Sequence, residues 1–449
     1  MGVLGGGPEA DVEKTVAMPP VQLESFESWL PSEHPLHRPR HGRRQLTALL
    51  CAATFFVVPA ATLAMGARPA EFENHRLAGF PSLGQGWEFF SGLSDWATDH
   101  LPFRDAAIYV ADDVSRGVFA EPPPFSRVDD PVRSPPFAPP DSRPEQASPP
   151  ALAEPPVSAG FAKVIEGKDG WLYYGFDVQG KCKPFQSMDD VIANLVRLRR
   201  AVEAPGREFV LVVPPDKTTS VPEHLPDTYV GRSCSNDVGR RFWERVTGEA
   251  GAIDLREDLR RITERDGRPP YYPLDTHWDD RAVLTMVKRV ADEITPGTSR
   301  SWKSEPEGTS SYPADLSRLL GRRGSAEVQM YTLAPDGERD RTRNAAEPVA
   351  PVRLTSTPGE GMVRKRVGLL TDSFSLAATR YLPAAFADVD IVYYSTLSTD
   401  PGAVLNLVVD QDVIVVEVVE RNLTSGIADV VDTQYVDAIS NALAAHPRR

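Results

Sequence analysis

Four short runs within residues 209–416 are apolar without alternation apart from Asp390, and they constrain the fold more than any other feature of this chain. They are Phe209-Val210-Leu211-Val212-Val213, Val367-Gly368-Leu369-Leu370, Val389-Asp390-Ile391-Val392-Tyr393-Tyr394 and Val413-Ile414-Val415-Val416. A strand with one wet face alternates apolar and polar residues, whereas a strand covered on both faces does not need to. The runs therefore predict a sheet with helices on both sides. Helical patterns lie between them. Val191, Ile192, Leu195, Val196 and Leu198 fall on one helix face, as do Val283, Met286, Val287 and Val290. Alternating strands and helices define an α/β domain on a parallel sheet. Residues 158–449 are expected to form it, close to the ~250–300 residues at which single cores stop growing.

The rest of the 449 residues divides by composition. No charged residue occurs from Gln45 to Ala67. Leu46–Ala67 (LTALLCAATFFVVPAATLAMGA) matches the ~20 apolar residues that cross a bilayer, and Pro59 is tolerated in such a helix. Arg38, Arg40, Arg43 and Arg44 precede it, which keeps the N-terminus cytoplasmic and puts the remainder outside. A cleaved signal peptide and a buried soluble helix are the alternatives; the long run and long leader favour an uncleaved transmembrane anchor. Residues 1–45 read as a disordered cytoplasmic tail. Residues 68–120 read as an amphipathic, membrane-proximal segment with Trp87, Phe89, Phe90, Leu93 and Trp96. Glu121–Val157 holds 13 prolines in 37 residues and reads as an extended proline-rich linker. Outside the cytoplasm disulfides form. Cys51 lies in the anchor, so Cys182 and Cys234 are expected to pair; two free thiols are the alternative. A net charge of −14 without a basic stripe argues against nucleic acid as a partner. The chain also has no GxxxxGK[ST] run of a P-loop enzyme.

Elimination narrows the eight histidines. His34, His37 and His41 belong to the cytoplasmic tail and His446 to the polar C-terminus. Of His75, His100, His224 and His277, the last stands in Asp275-Thr276-His277-Trp278, just before a helix that Asp279 or Asp280 would cap. A carboxylate two residues upstream can hold the Nδ1–H and fix the tautomer. The second candidate is Ser373, in Leu370-Thr371-Asp372-Ser373-Phe374-Ser375. It falls between a strand ending at Thr371 and a helical run from Leu376 to Leu382. Sites in parallel sheets form at the carboxyl ends of strands, and a backbone N–H at a helix start can steady an oxyanion. Each motif alone has a plain alternative: loop filler for Asp-x-His, a helix cap for Ser373. The other His and Cys residues do not cluster at ligand spacing, so neither metal nor cofactor is expected.

Together the two segments resemble the SGNH (GDSL-like) hydrolase fold, and more closely the alginate O-acetyltransferases of the AlgX/AlgJ type and their DHHW relatives. Further matching segments follow in the family's order: Glu73–Pro81, Asp99–Arg104, Gly167–Tyr174, Pro214-Pro215-Asp216-Lys217, Pro222–Pro226 and Glu417–Arg421. The Asp-x-His precedes the Ser, the permuted order of this family. The resemblance implies an SGNH hydrolase-like parallel sheet flanked by helices, in the permuted motif order; the transmembrane helix read from composition precedes it. It implies Ser373 as acyl-accepting nucleophile, His277 as general base and then acid, and Asp275 as its orienter. It further implies acetyl transfer onto an exopolysaccharide or cell-wall glycan, with a membrane-bound O-acyltransferase partner supplying the acetyl group. Thr371 departs from the Gly of the family pattern, and no Asn matches the usual oxyanion donor. Asp372, Lys217 and backbone near Pro215–Lys217 are the candidates for substrate or oxyanion contact. A carbohydrate O-acetyl esterase would use the same acyl-enzyme. A non-catalytic glycan-binding scaffold would keep the fold, yet it need not retain Asp275, His277 and Ser373 together. Asp99-His100 reads as a packing corner, the 167–174 aromatics as packing, His224 as structural, and Glu417, Glu420 and Arg421 as an internal ion pair.

Overall fold

The computed structural model describes residues 43–65, scattered positions between 80 and 96, and residues 157–448 apart from Ala159. The expected tail, His75, the Asp99-His100 pair and nearly all of the proline-rich linker lie outside the described residues. The chain divides into two units, residues 1–68 and 69–449.

In the first unit a helix runs for 22 residues, Arg43–Ala64. Its Ala- and Leu-rich composition favours that state. It covers the expected anchor as far as Ala64; Gly66 and Ala67 fall outside the described residues, as do several side chains of the helix. Among the described residues no helix is long and apolar enough to cross a membrane. Cys51, in this helix, is a free thiol.

In the second unit the strands are β1 (Val164–Glu166), β2 (Leu172–Tyr174), β3 (Glu208–Val213), β4 (Ile253–Asp254), β5 (Pro306–Pro313), β6 (Ser325–Tyr331), β7 (Val352–Thr355), β8 (Val363–Thr371), β9 (Phe386–Tyr393) and β10 (Val413–Glu417). All four expected runs are strands of one six-stranded sheet, ordered β4-β3-β10-β8-β9-β7. Every pairing within it is parallel except β7 against β9. The antiparallel β7 is an edge strand whose half-buried Val352 and Leu354 alternate with exposed Arg353 and Thr355, the pattern of a strand with one wet face.

Alternate side chains feed two cores. Val210, Val212, Val413 and Val415 face the helix Asp280–Ile294. Leu211, Val213, Ile414 and Val416 face the helices Met188–Glu203, Arg232–Gly248 and Thr433–Ala445. Burying each such side chain contributes roughly 1.5–3 kcal/mol, so coverage of both faces is the main force behind the sheet. Gly368 has a steric reason. A Cβ there would lie 2.7 Å from Gln411 Cγ and 2.9 Å from Leu407 Cδ2, because the helix Pro401–Val409 and the turn after it press on β8.

Cys182 and Cys234 form the expected disulfide, Cα atoms 5.7 Å apart across 52 residues. It joins the helix Phe176–Cys182 to the helix Arg232–Gly248. Two smaller antiparallel hairpins, β1–β2 and β5–β6, lie outside the main sheet.

Residues 376–382 differ from expectation. Instead of a helix they form 3₁₀ turns, Ser373–Ser375 and Ala377–Arg380, then the short helix Leu382–Ala385. Pro383 brings no N–H to the ladder and would clash with the carbonyl four residues back. The Thr379 hydroxyl takes the Leu376 carbonyl at 2.7 Å, a local bond that competes with the helix.

Candidate active site

β3, β10 and β8 are neighbours, and the segments leaving their carboxyl ends carry Asp216-Lys217, Glu420-Arg421 and Ser373 respectively. Ser373 sits one residue beyond the extended Asp372, whose Oδ1 accepts the Phe374 N–H at 3.0 Å. The other oxygen, Oδ2, accepts the Val419 N–H at 2.9 Å. Asp372 thus caps the nucleophile turn and ties it to the segment after β10. It is an acceptor with no donor to offer an oxyanion. Beneath the turn lies Glu417, fully buried. Its Oε2 accepts the Thr371 hydroxyl, the Ser375 hydroxyl at 2.8 Å and the Asp372 N–H at 3.2 Å. Burial, and then the charge of Asp372, push this carboxyl well above the usual carboxylate range. Thr371, standing where the family pattern has Gly, supplies one of the hydroxyls that hold Glu417.

The Asp-x-His loop is a closed turn. Tyr271 and Trp278 bridge its base, and the Tyr272 N–H reaches the His277 carbonyl at 3.2 Å. Trp278 Nε1 donates to the Phe374 carbonyl at 2.9 Å, which pins this loop to the nucleophile turn. The helix that follows is capped by Asp279, whose side chain accepts the Arg281 N–H at 2.9 Å. His277 Nδ1 lies 2.8 Å from Asp275 Oδ1, and Nε2 lies 3.0 Å from Ser373 Oγ. Asp275 is buried and the His277 side chain 28% exposed, so the unit opens to solvent on the imidazole and serine side. With the Nδ1–H donated to the Asp275 carboxylate, Nε2 is left to accept the serine proton.

Electrostatics fit that division. Burial opposes the Asp275 charge, yet His277 and two backbone N–H groups hold its carboxyl below the usual range. Burial also opposes a charged His277; the hydrogen bond and charge of Asp275, then Asp315, outweigh it and raise the imidazole above its ordinary value. Arg421 works the other way. Its guanidinium lies 4.9 Å from the Phe374 ring centre, which is itself 5.1 Å from the His277 ring.

Lys217 has a different place from the one expected. Its buried Nζ donates to the carbonyls of Tyr272, Pro273 and Asp275 at 2.8, 3.2 and 2.6 Å. All three N–H bonds of an ammonium are then used, so Lys217 props the Asp275 loop and does not face an oxyanion. The ammonium also lies 5.5 Å from the Trp171 ring centre and 5.4 Å from that of Tyr173. Trp171 stacks on His224 at 4.7 Å, and His224 Nδ1 meets Asp169 at 3.0 Å. The Gly167–Tyr174 and His224 segments are therefore braces for the loop. The Ser373 N–H is the first of its 3₁₀ turn and has no acceptor inside that turn.

Glu420 and Arg421 join a buried charge cluster larger than the expected ion pair. Lys181 Nζ lies 2.9 Å from Asp216 and 2.8 Å from Glu420. Arg421 Nη1 is 3.7 Å from Asp177 and 3.8 Å from Asp216. The Asp216 and Arg421 backbone N–H groups donate to Glu420 and Asp216. The cluster clamps the turns after β3 and β10 together. Nothing in its sequence context marks Lys181 except the neighbouring Cys182.

Sequence reasoning also missed Asp315, a lone aspartate 39 residues after Thr276 with which it bonds. No motif surrounds it. One oxygen or nitrogen from each of Asp275, His277 and Asp315 lies within 4.8 Å of the others, a spacing a cation also adopts. These atoms are instead spent on one another and on Thr276, so the trio is built as a hydrogen-bonded acid–imidazole cluster.

Residues 164–372 match the family model described as "SGNH hydrolase-like domain, acetyltransferase AlgX". The match includes Asp275 and His277 and ends one residue before Ser373. That segment, a little under half of the chain, is thus similar to an SGNH hydrolase-like domain of the AlgX type. Among curated relatives, "Probable alginate O-acetylase AlgJ" of Pseudomonas syringae pv. tomato is 27% identical over 168 residues, 36% of this chain and 42% of that protein. The Pseudomonas fluorescens protein of the same name matches to the same extent. The similarity thus spans about two fifths of the length of these relatives. Among solved structures, the O-acetyltransferase domain of Pseudomonas putida AlgJ is 20% identical, with a TM-score of 0.42, covering 62% of this chain and 99% of that one. Bacillus cereus PatB1 is 13% identical with a TM-score of 0.41, covering 60% and 98%.

Proposed function

We propose that this protein is an O-acetyltransferase that moves acetyl through Ser373 onto hydroxyls of an exopolysaccharide or cell-wall glycan. The observation that carries the reading is the continuous Asp275–His277–Ser373 hydrogen-bond chain, at 2.8 and 3.0 Å. Ser373 Oγ attacks the donor's acetyl carbonyl and gives its proton to His277 Nε2. The tetrahedral oxyanion collapses, and the leaving group takes that proton from Nε2. The acceptor hydroxyl then attacks the acyl-serine through the same base and restores the Ser373 hydroxyl. The names of the curated relatives make a polyuronate the first acceptor to try. Alongside this we propose that the uncharged Gln45–Ala67 run, with arginines before it, tethers the domain outside the membrane. A membrane-bound O-acyltransferase there would supply the acetyl group.

The test uses the purified full-length chain with 4-nitrophenyl acetate and intact-mass readout. An adduct of ~42 Da, the acetyl increment of covalent catalysis, is expected on the parent and absent from Ser373→Ala. Label passing on to added glycan marks a transferase; release to water alone, unchanged by glycan, marks the esterase. No adduct and no ester turnover overturn the enzymatic reading. For the tether, the chain is expected to stay in the membrane pellet after carbonate washing, and a chain lacking residues 1–67 to be released. Complete release of the intact chain refutes the anchor.

A further inference from the structure

The hairpin β5–β6 lies outside the main sheet, yet it delivers a carboxylate into the site. Asp315 stands two residues beyond β5, at the start of the short helix Asp315–Leu319 that links β5 to β6, and its side chain is 11% exposed. Its Oδ1 accepts the Thr276 backbone N–H at 2.8 Å, and its Oδ2 accepts the Thr276 hydroxyl. In return, the Asp315 backbone N–H donates to Asp275 Oδ2 at 3.0 Å. The hairpin and the Asp-x-His loop therefore fix each other by a reciprocal pair of bonds. The same Asp315 Oδ2 stands 3.6 Å from His277 Nδ1, behind the 2.8 Å bond from Asp275. Two carboxylates thus face one imidazole nitrogen.

We infer that Asp315 is a second positioning acid of the acyl-transfer site, holding Thr276 so that Asp275 meets His277 and adding its charge to the imidazolium that forms during transfer. This rests on the acyl-enzyme reading above and deepens it. Asp275 alone fixes the tautomer. Asp315 fixes the loop and contributes field, because a carboxylate within ~4–6 Å favours the charged imidazole. The other groups around the pair are few. His277 is faced by Asp275, Asp315 and, from beyond β10, Arg421. Asp315 is faced by Asp275, His277 and Lys217, with the Tyr312 phenol nearby. Burial, then the Asp275 charge, raise the Asp315 carboxyl to about 6. The Asp315 charge acts on the imidazole at pH values above that, where its carboxyl is ionised.

The experiment measures the pH dependence of Ser373 acylation by 4-nitrophenyl acetate in the full-length chain, for wild type, Asp315→Asn and Asp315→Ala. Asn keeps an acceptor for Thr276 but carries no charge. The acid limb of Asp315→Asn is expected to move down by about one pH unit, within the range a lost neighbouring charge gives. Its plateau rate should fall by about ten-fold with KM unchanged. Asp315→Ala should show the same limb shift and a larger loss of rate, because Thr276 also loses its partner. A limb that stays in place in Asp315→Asn overturns the inference, even if the rate falls, since a purely structural role predicts that pattern. Absence of a Ser373 adduct in the wild type removes the acyl-enzyme reading and the inference with it. An adduct with an unmoved limb removes the inference alone.

Discussion

Asp275→Asn is expected to slow acylation of Ser373 by about 10⁴-fold with little change in KM, the size of effect found when the acid of a Ser-His-Asp unit becomes an amide. The reason lies in the donors around Asp275. Its Oδ1 accepts the His277 Nδ1–H and the His277 backbone N–H, while Oδ2 accepts the Asp315 backbone N–H. An amide has one oxygen and one NH₂ for these three donors. If the oxygen keeps the Asp315 N–H at the Oδ2 position, the NH₂ takes the Oδ1 position and faces Nδ1. The proton must then sit on Nε2, where it cannot accept from Ser373. Single-turnover acylation measured by stopped flow reads this directly, and circular dichroism checks the fold. A variant within ten-fold of the parent would show that Asp275 does not set the tautomer. The pH dependence follows with a definite sign. The base must be neutral, and His277 titrates above its ordinary 6.5. Wild-type acylation should therefore fall as pH drops through a midpoint above 6.5. Loss of the Asp275 charge removes the largest upward influence on His277, so the residual activity of Asp275→Asn should titrate lower.

The sheet was legible because burial on both faces leaves a mark in composition. Phe209–Val213 and Val413–Val416 have no polar residue, and each is a parallel strand. The short β7 was not legible: four residues on a wet edge carry too little pattern to distinguish them from loop. The turn after Ser373 resembles a helix in sequence because residues 374, 378, 381 and 382 keep helical spacing. Pro383 and the Thr379 hydroxyl overrule that periodicity locally. Asp275, His277 and Ser373 were legible because an orienting acid two residues before a histidine, and a serine at a strand end, are local patterns. Asp315 was not. Its role depends on a hairpin folding back across 39 residues, and a single aspartate carries no sign of that contact. The place of Lys217 is not legible either. Its sequence neighbours suggested the cleft, whereas its length lets the ammonium reach through the aromatic brace to the underside of the loop.

Lys217→Met should cost both stability and activity, and the way it does so separates a prop from a cleft residue. Methionine nearly fills the same volume between Trp171 and Tyr173 but has no donor. Three carbonyl acceptors are affected unequally. Pro273 keeps the Leu172 N–H at 2.9 Å, and Tyr272 keeps a long bond from Asp275 at 3.4 Å. The Asp275 carbonyl, with the shortest Lys217 bond at 2.6 Å, loses its buried cation. A buried acceptor left unsatisfied costs ~1–3 kcal/mol, so the variant should lose roughly 1–3 kcal/mol against a total of ~5–15 kcal/mol for a domain. That corresponds to a melting temperature lower by about 5 °C. Acylation should fall at least 100-fold even well below the new melting point, because the displaced backbone is the one that carries Asp275. The wild type should show a related alkaline limb. Burial lowers Lys217 to about 8; above that pH the neutral amine has two N–H bonds for three carbonyls and the loop loosens. Thermal melts, and acylation rates from pH 6 to 9.5, test both statements. A Lys217→Met protein that melts with the parent and acylates at the parent's rate would show that the loop is held by Trp278 and Asp315 alone. Normal stability with a large rise in KM would return Lys217 to the cleft.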